Sequence, residues 1–297
     1  MGPAIPPFYG SGVAPHPKSW DRGGVGRLVD RRRVTRVRGG QVAEVADHLA
    51  VEEPLTVQVG GVTITTTMRT PGHDIELALG WLVSEGVVRT PADVIGAIAC
   101  DENTVEVRLA PGLAPPAPRL TMTSSACGIC GTDSIADVVG RRSEQRPPQA
   151  RIPSDVVAQL PDRLRDAQSA FDRTGGLHAA GLFTLGGDAI CVREDVGRHN
   201  AVDKVVGWAL QQDALPAHEW LLQVSGRASF ELTQKAVMAG VQALAAVSAP
   251  STLAVDLARD ADLTLVGFSR GESFNVYAGA DRLTPAAATA SPAAQPG

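Results

Sequence analysis

Residues 193–204 read Arg193-Glu194-Asp195-Val196-Gly197-Arg198-His199-Asn200-Ala201-Val202-Asp203-Lys204. Upstream, Ala179 to Leu185 and Ala189 to Val192 are β-rich runs around Gly186-Gly187-Asp188, a hairpin signal. Downstream, Arg198 to Gln211 follows helical spacing. The stretch is therefore a strand-to-helix junction. On the helix, His199 and Asp203 share one side, as do Asn200 and Lys204. Surface ion pairing explains part of this pattern. Junctions at the carboxyl ends of strands are also where open α/β folds bind ligands, and a binding site is the favoured reading.

Outward from this junction, strand and helix continue to alternate. Ser154 to Phe171 is predicted helical. Leu221 to Val224, Ala243 to Val247 and Leu263 to Phe268 are predicted strands, separated by helices at Ser229 to Ala239 and Pro250 to Arg259. Arg119 to Thr123 is a further predicted strand, and a helix is expected to start at Thr132 or Asp133, either of which can cap it. Such alternation predicts a three-layer α/β sandwich with a mixed sheet over residues 119–277. The region before it, residues 35–118, reads as a smaller α+β domain. It contains strands at Val42 to Leu49, Leu55 to Val59 and Val62 to Met68, the last two joined at Gly60-Gly61. A broad apolar helix spans His73 to Glu85, and a hairpin joins Ile95 to Cys100 and Thr104 to Leu109. Four prolines between Pro111 and Pro118 mark the linker.

Residues 1–34 and 278–297 lack periodicity and read as disordered tails. Six arginines fall between Arg27 and Arg38, either on a solvated face or edge strand or as a contact for an anionic partner. The whole chain has 297 residues, a size that fits about two domains. It is 44% hydrophobic, only 4% aromatic, and carries a net charge of −5, which argues against nucleic acid as the main partner. No apolar run of about 18 residues is present, so no membrane span is expected. No secretory signal pattern starts the chain, and four cysteines in so long a sequence do not make a disulfide scaffold. A reducing, cytoplasmic setting is expected.

Two of those cysteines stand in Ser124-Ser125-Ala126-Cys127-Gly128-Ile129-Cys130-Gly131. Paired thiols at this spacing can carry sulfur, exchange a disulfide or clip a metal. An all-cysteine zinc site usually brings a second such pair, yet Cys100 and Cys191 stand alone. A zinc deaminase would need H-x-E, and His73 is followed by Asp74-Ile75-Glu76. A thioredoxin-like site should open a βαβ fold, and this one lies mid-chain. Sulfur carriage as a persulfide is what remains, beside two unreactive structural cysteines.

Three further turns carry polar chemistry. Thr174-Gly175-Gly176-Leu177-His178 allows close backbone approach to a ligand. Ser225-Gly226-Arg227 precedes a helix and suits an anion. Gly267-Phe268-Ser269-Arg270-Gly271-Glu272-Ser273 offers Phe268 for stacking on a base and Arg270 for a phosphate or a guanine edge.

These stretches, with Ala246-Val247-Ser248-Ala249-Pro250, resemble the formate dehydrogenase accessory sulfurtransferase family, FdhD, over roughly residues 35–277. The resemblance implies a sulfurtransferase. It would take persulfide sulfur from a cysteine desulfurase and transfer it to the molybdenum of bis(molybdopterin guanine dinucleotide), a cofactor bound as substrate, for formate dehydrogenase. It also implies a cytidine-deaminase-like second domain without structural metal. By resemblance Cys127 is the carrier, and Cys130 is the second cysteine of the motif. Phe268, Ser269, Arg270, Gly271, Glu272 and Ser273 form the cofactor-binding turn. Ser273 stands where the family carries a second arginine, which leaves Arg198, Arg227 or the arginine-rich run to compensate. A two-fold homodimer would suit a cofactor with two nucleotides. The alternatives are a cofactor-binding chaperone without sulfur transfer and a small zinc module.

Overall fold

The structure is a computed structural model that describes residues 27–118, 135–141 and 150–285. The predicted strand at 119–123, the start of the following helix, and both Cys127 and Cys130 lie outside the described residues.

The chain begins with a two-stranded antiparallel ribbon, β1 (Val29–Arg38) and β2 (Gln41–Ala50), joined at Gly39-Gly40. The first tail expected over 1–34 therefore ends earlier, because residues 29–34 pair with residues 45–50. Most of the ribbon is exposed on both faces, so its strands lack the apolar–polar alternation that marks a half-buried strand. The arginine run lies on this ribbon. Arg27 and Arg32 pair with the half-buried Asp30, Arg33 with Glu44 and Arg36 with Asp47; each arginine is exposed, and such pairs add little.

A four-stranded sheet follows, formed by β3 (Glu53–Val59), β4 (Val62–Arg69), β5 (Val94–Asp101) and β6 (Thr104–Leu109) in the order β4-β3-β6-β5. Helix α1 (Asp74–Ser84) lies between β4 and β5 and is buried over ten residues. Arg69 is fully buried at its start. It donates to both oxygens of Asp74, to Glu53, to the Glu102 carbonyl and to Asn103. A buried guanidinium needs this many acceptors, because its charge cannot be neutralised.

The second half begins with α2 (Ile135–Arg141), the short strand β7 (Ile152–Pro153), α3 (Ser154–Asp166) and α4 (Ser169–Thr174). The single helix expected from Ser154 to Phe171 is thus two. Glu194 supplies the physical reason: its carboxylate accepts the amides of Ala170 and Phe171 and starts α4 afresh. Then come β8 (His178–Thr184), β9 (Ala189–Asp195), α5 (Arg198–Gln211), β10 (Trp220–Val224) and α6 (Phe230–Ala239). They are followed by β11 (Ala243–Ala246), α7 (Thr252–Asp260), β12 (Thr264–Arg270) and β13 (Ser273–Ala278). Ser229 and Ser251 cap α6 and α7 with their hydroxyls. The last predicted strand is longer than expected and turns back as a hairpin at Gly271-Glu272. Residues 278–297 were expected as a tail. A 3-10 turn at Ala280–Arg282 and β14 (Leu283–Thr284) carry order to 285, with β14 pairing in parallel with β7.

The main sheet has the order β13-β12-β11-β10-β8-β9, parallel across β10, β11 and β12 and antiparallel elsewhere. Successive strand residues face opposite sides. Leu221 and Val266 meet the α3 stripe of Val156, Val157, Leu160 and Leu164, while Leu222 and Leu265 face α5, α6 and α7. This is the mixed, layered α/β architecture expected. The larger core continues through α1 to Leu55, Val57, Val105 and Val107 of the small sheet, so the two expected regions share one hydrophobic interior. At their joint α1 and α5 touch backbone to backbone. A Cβ on Gly80 would overlap the Asp203 carbonyl, and one on Gly207 the Glu76 carbonyl. No described helix is long and apolar enough to cross a membrane.

Candidate functional site

The junction at residues 193–204 does two jobs, and the larger one is structural. Asp195 is fully buried and accepts from the Thr70 and Gly197 amides, the Asn200 amide group and Lys204 Nζ at 2.7 Å. Lys204 is equally buried and also reaches the Thr70 carbonyl. Asn200 donates to the Met68 carbonyl. Asp203 binds Lys235 through both oxygens and accepts from Ser84, with burial pushing its carboxyl up against that pull. Arg193 forks onto Glu76 at 2.6 and 2.8 Å. Burial would raise the Glu76 carboxyl, but Arg193 and His73 outweigh it and hold it below the usual range. The run favoured as a binding site is thus chiefly the polar joint between the small sheet and the large one. Surface ion pairing is also not its role, since most of these charges are inside.

The second job is at the edge of the same run. Val196 lines a cavity of about 610 Å³ on the α3 side of the main sheet. Three of the turns singled out in the sequence converge there: Gly175 to His178, Ser225, and Ser269 to Gly271, with Val247 beside them. Local structure explains the convergence. Ser225 follows β10 and Val247 follows β11, neighbouring parallel strands whose carboxyl ends share one side. Gly175 ends α4 with φ 64°, a left-handed backbone that only glycine takes readily. Ser225 Oγ accepts the Ala179 amide, which ties β8 to this edge.

The turn expected to hold the cofactor divides. Ser269 is buried and bonds the Val157 carbonyl, and Arg270 Nε donates to the Val247 carbonyl. Those two residues and Gly271 line the cavity. Phe268, Glu272 and Ser273 do not. Phe268 is 44% exposed with φ 53°, and its ring is held outward by a break in the β12–β13 register. Ser273 donates to the Arg270 carbonyl across the hairpin. Cys127 lies outside the described residues, so its distance from the cavity is not part of this geometry.

Arg270 from β12, Arg165 from α3 and His178 from the start of β8 all line the cavity. Burial, then the Arg198 and His199 charges, keep the His178 imidazole below its ordinary pKa. Arg198 sits behind it, and its Nε is buried without a hydrogen-bond partner among the described residues. His199 pairs with Glu231 at 2.7 Å, away from the lining. Arg227 is exposed and does not line the cavity.

Sequence reasoning missed the opposite wall. Pro161, Asp162, Leu164, Arg165, Gln168 and Phe171 supply it from α3 and α4. Arg165 lies over the Phe171 ring at 4.7 Å and pairs with Asp172. No motif marks these residues. The available signal was the amphipathic stripe of α3, which turns Asp162 and Arg165 away from the core.

Comparison with known proteins identifies the family of the chain. The model of the FdhD/NarQ family matches residues 50–284. "Sulfur carrier protein FdhD" of Streptomyces coelicolor is 52% identical over 280 residues, covering 89% of this chain and 99% of that protein. The protein of the same name from Nocardia farcinica is 53% identical over 270 residues, covering 87% and 96%. A crystal structure of a formate dehydrogenase accessory protein from Desulfotalea psychrophila shares the fold, with a TM-score of 0.71 over 87% of this chain and all of that one, at 22% identity. The chain belongs to the FdhD/NarQ family.

Proposed function

We propose that this protein is a sulfur carrier in formate dehydrogenase maturation, with Cys127 as the persulfide-bearing residue. The observation that carries the reading is the cavity. It draws five separated sequence stretches to one edge of the main sheet and lines it with arginine, imidazole and glycine backbone, the groups that suit a phosphorylated ligand. The names borne by relatives about half identical over nearly their whole length supply the sulfur.

In the first step the Cys127 thiolate attacks the outer sulfur of a persulfide on a cysteine desulfurase. That S–S bond breaks, the desulfurase thiolate leaves, and a new S–S bond stands on Cys127. The terminal sulfur is soft and suits a soft acceptor, the molybdenum of bis(molybdopterin guanine dinucleotide) presented as substrate. A guanine nucleotide end of that substrate occupies the cavity, with Arg270 and the Gly175-Gly176 backbone at its phosphates. A two-fold dimer would offer one cavity to each nucleotide, and a reducing cytoplasm would keep the thiols free.

Cys127→Ala tests the division of labour. The variant should fold and bind GDP as the wild type does, yet fail to activate formate dehydrogenase in cells lacking the native protein. Full activation by it would remove Cys127 from the mechanism and leave a cofactor-binding chaperone.

A further inference from the structure

Residues 27–50 carry six arginines against Asp30, Glu44 and Asp47, a surplus of three positive charges in a chain whose net charge is −5. The surplus sits on the ribbon of β1 and β2. Arg31 and Arg38 are exposed and outside every ion pair formed among the described residues, and Arg33 meets Glu44 only at 3.9 Å. Like charges so crowded repel one another, and folding gains little from them. The ribbon rests on α4, and its root stands at the cavity rim. A Cβ on Gly176, which lines the cavity, would lie 3.7 Å from the Ala50 Cβ. Ala50 pairs with Val29, and the next pair on the same face is Arg31 with His48. At ~3.3 Å per residue, Arg31 stands about 7 Å along the strand from that root, whereas Arg38 is at the far tip, about 30 Å from Val29. The register thus turns Arg31 to the side on which the Gly175-Gly176 turn lies. The cavity itself is short of free positive charge. Arg165 is engaged by Asp172 and the Phe171 ring, and burial disfavours the protonated form of His178. Arg270 is the lining cation that remains, and a diphosphate carries more than one negative charge.

We infer that the root of the β1–β2 ribbon is an outer anion-binding wall of the cavity, with Arg31 contacting the ligand's phosphates beside the Gly175-Gly176 turn. The inference rests on the phosphorylated-ligand reading above and adds a cation from a distant part of the chain. A guanidinium forks onto two phosphate oxygens at once, so Arg31 can hold a phosphate that also meets the glycine amides. Arg33, one pair further out on the same face, strengthens the local positive field. Arg38 carries the same charge too far away to take part.

The test is calorimetry on the full chain with GDP and with pyrophosphate, at about 0.15 M salt, where free charges are screened beyond about 8 Å. Arg31→Gln should weaken both ligands by about 5-fold, the upper end for an exposed charge pair. Arg31→Lys keeps the charge and should recover most of that loss. Arg38→Gln removes the same charge from the tip and should bind both ligands as the wild type does. Arg31 is exposed, so these variants keep the fold, and their melting curves check it. Unchanged affinities in Arg31→Gln would overturn the role of the ribbon and leave the cavity standing. Equal losses in Arg31→Gln and Arg38→Gln would overturn it too, as a general charge effect, and so would a loss of GDP without a loss of pyrophosphate. A wild type that binds neither ligand would remove the phosphorylated-ligand reading and this inference with it.

Discussion

Cys191 and Cys100 show how differently one side chain behaves in two places. Cys191 is buried in β9, and burial pushes its thiol up to about 12, far above any physiological pH. Cys100 is exposed near the end of β5. The thiolate is the reactive form, so iodoacetamide at pH 8 should label Cys100 in the native protein and spare Cys191 until denaturant is added. Peptide mass spectrometry reads both sites, and native-state labelling of Cys191 would contradict its burial. Neither cysteine has a part in the proposed sulfur path. Their isolation in the sequence already said as much, since each lacks a neighbouring thiol. Asp162 and Gln168 were not legible in the same way. A lone acid on a helix and a glutamine between helices look like any solvated residues until the fold brings them to the cavity.

The α1–α5 contact decides whether the two halves form one body. Gly207→Ala should cost at least about 3 kcal/mol, the upper end of overpacking penalties, because the new methyl meets a backbone carbonyl that cannot rotate away. Gly96→Ala on β5 meets nothing within 4 Å and should stay near the ordinary surface range of about 0.5 kcal/mol. Urea melts of the two variants make the comparison, and equal destabilisation would refute the close contact. The Glu76–Arg193 pair crosses the same joint. The folded protein holds the Glu76 carboxyl below its unfolded value, so the pair stabilises above that value and loses its effect as pH falls through the folded one. Glu76→Gln should therefore cost about 3–5 kcal/mol at pH 7, the range for one partner lost from a buried pair. The deficit should shrink as the pH falls through the carboxylate range, and a constant deficit down to pH 3 would contradict the linkage. Helices and strands of this half were legible because apolar spacing and turn residues agree, as at Arg198–Gln211 and Gly60-Gly61. The arginine-rich strand β1 was not fully legible, because exposed faces leave no period. The break at 167–168 was missed because the side chain that causes it, Glu194, arrives from far along the chain.

At the scale of the molecule, the fold places a polar joint behind the sheet and a cavity at its strand ends. The sequence run that most strongly suggested a ligand proved to be mainly the joint. Buried charges and ligand-binding charges draw on the same residue types, and only placement separates them. Asp195 and Lys204 meet inside, whereas Arg270 faces the cavity. The turns at Gly175 and Ser225 were legible as ligand-facing because each follows a regular element with small or polar residues, and Ser269 because it follows the predicted strand, although β12 itself runs on to Arg270. Their meeting at one cavity was not, since it depends on strand order. The central claim concerns what Cys127 carries. Purified protein incubated with a cysteine desulfurase and cysteine, then analysed by intact and peptide mass spectrometry under non-reducing conditions, tests it most directly. The account predicts a gain of one sulfur atom on Cys127, removed by a reductant and absent in Cys127→Ala. An unmodified Cys127 beside a desulfurase that is turning over cysteine would contradict it.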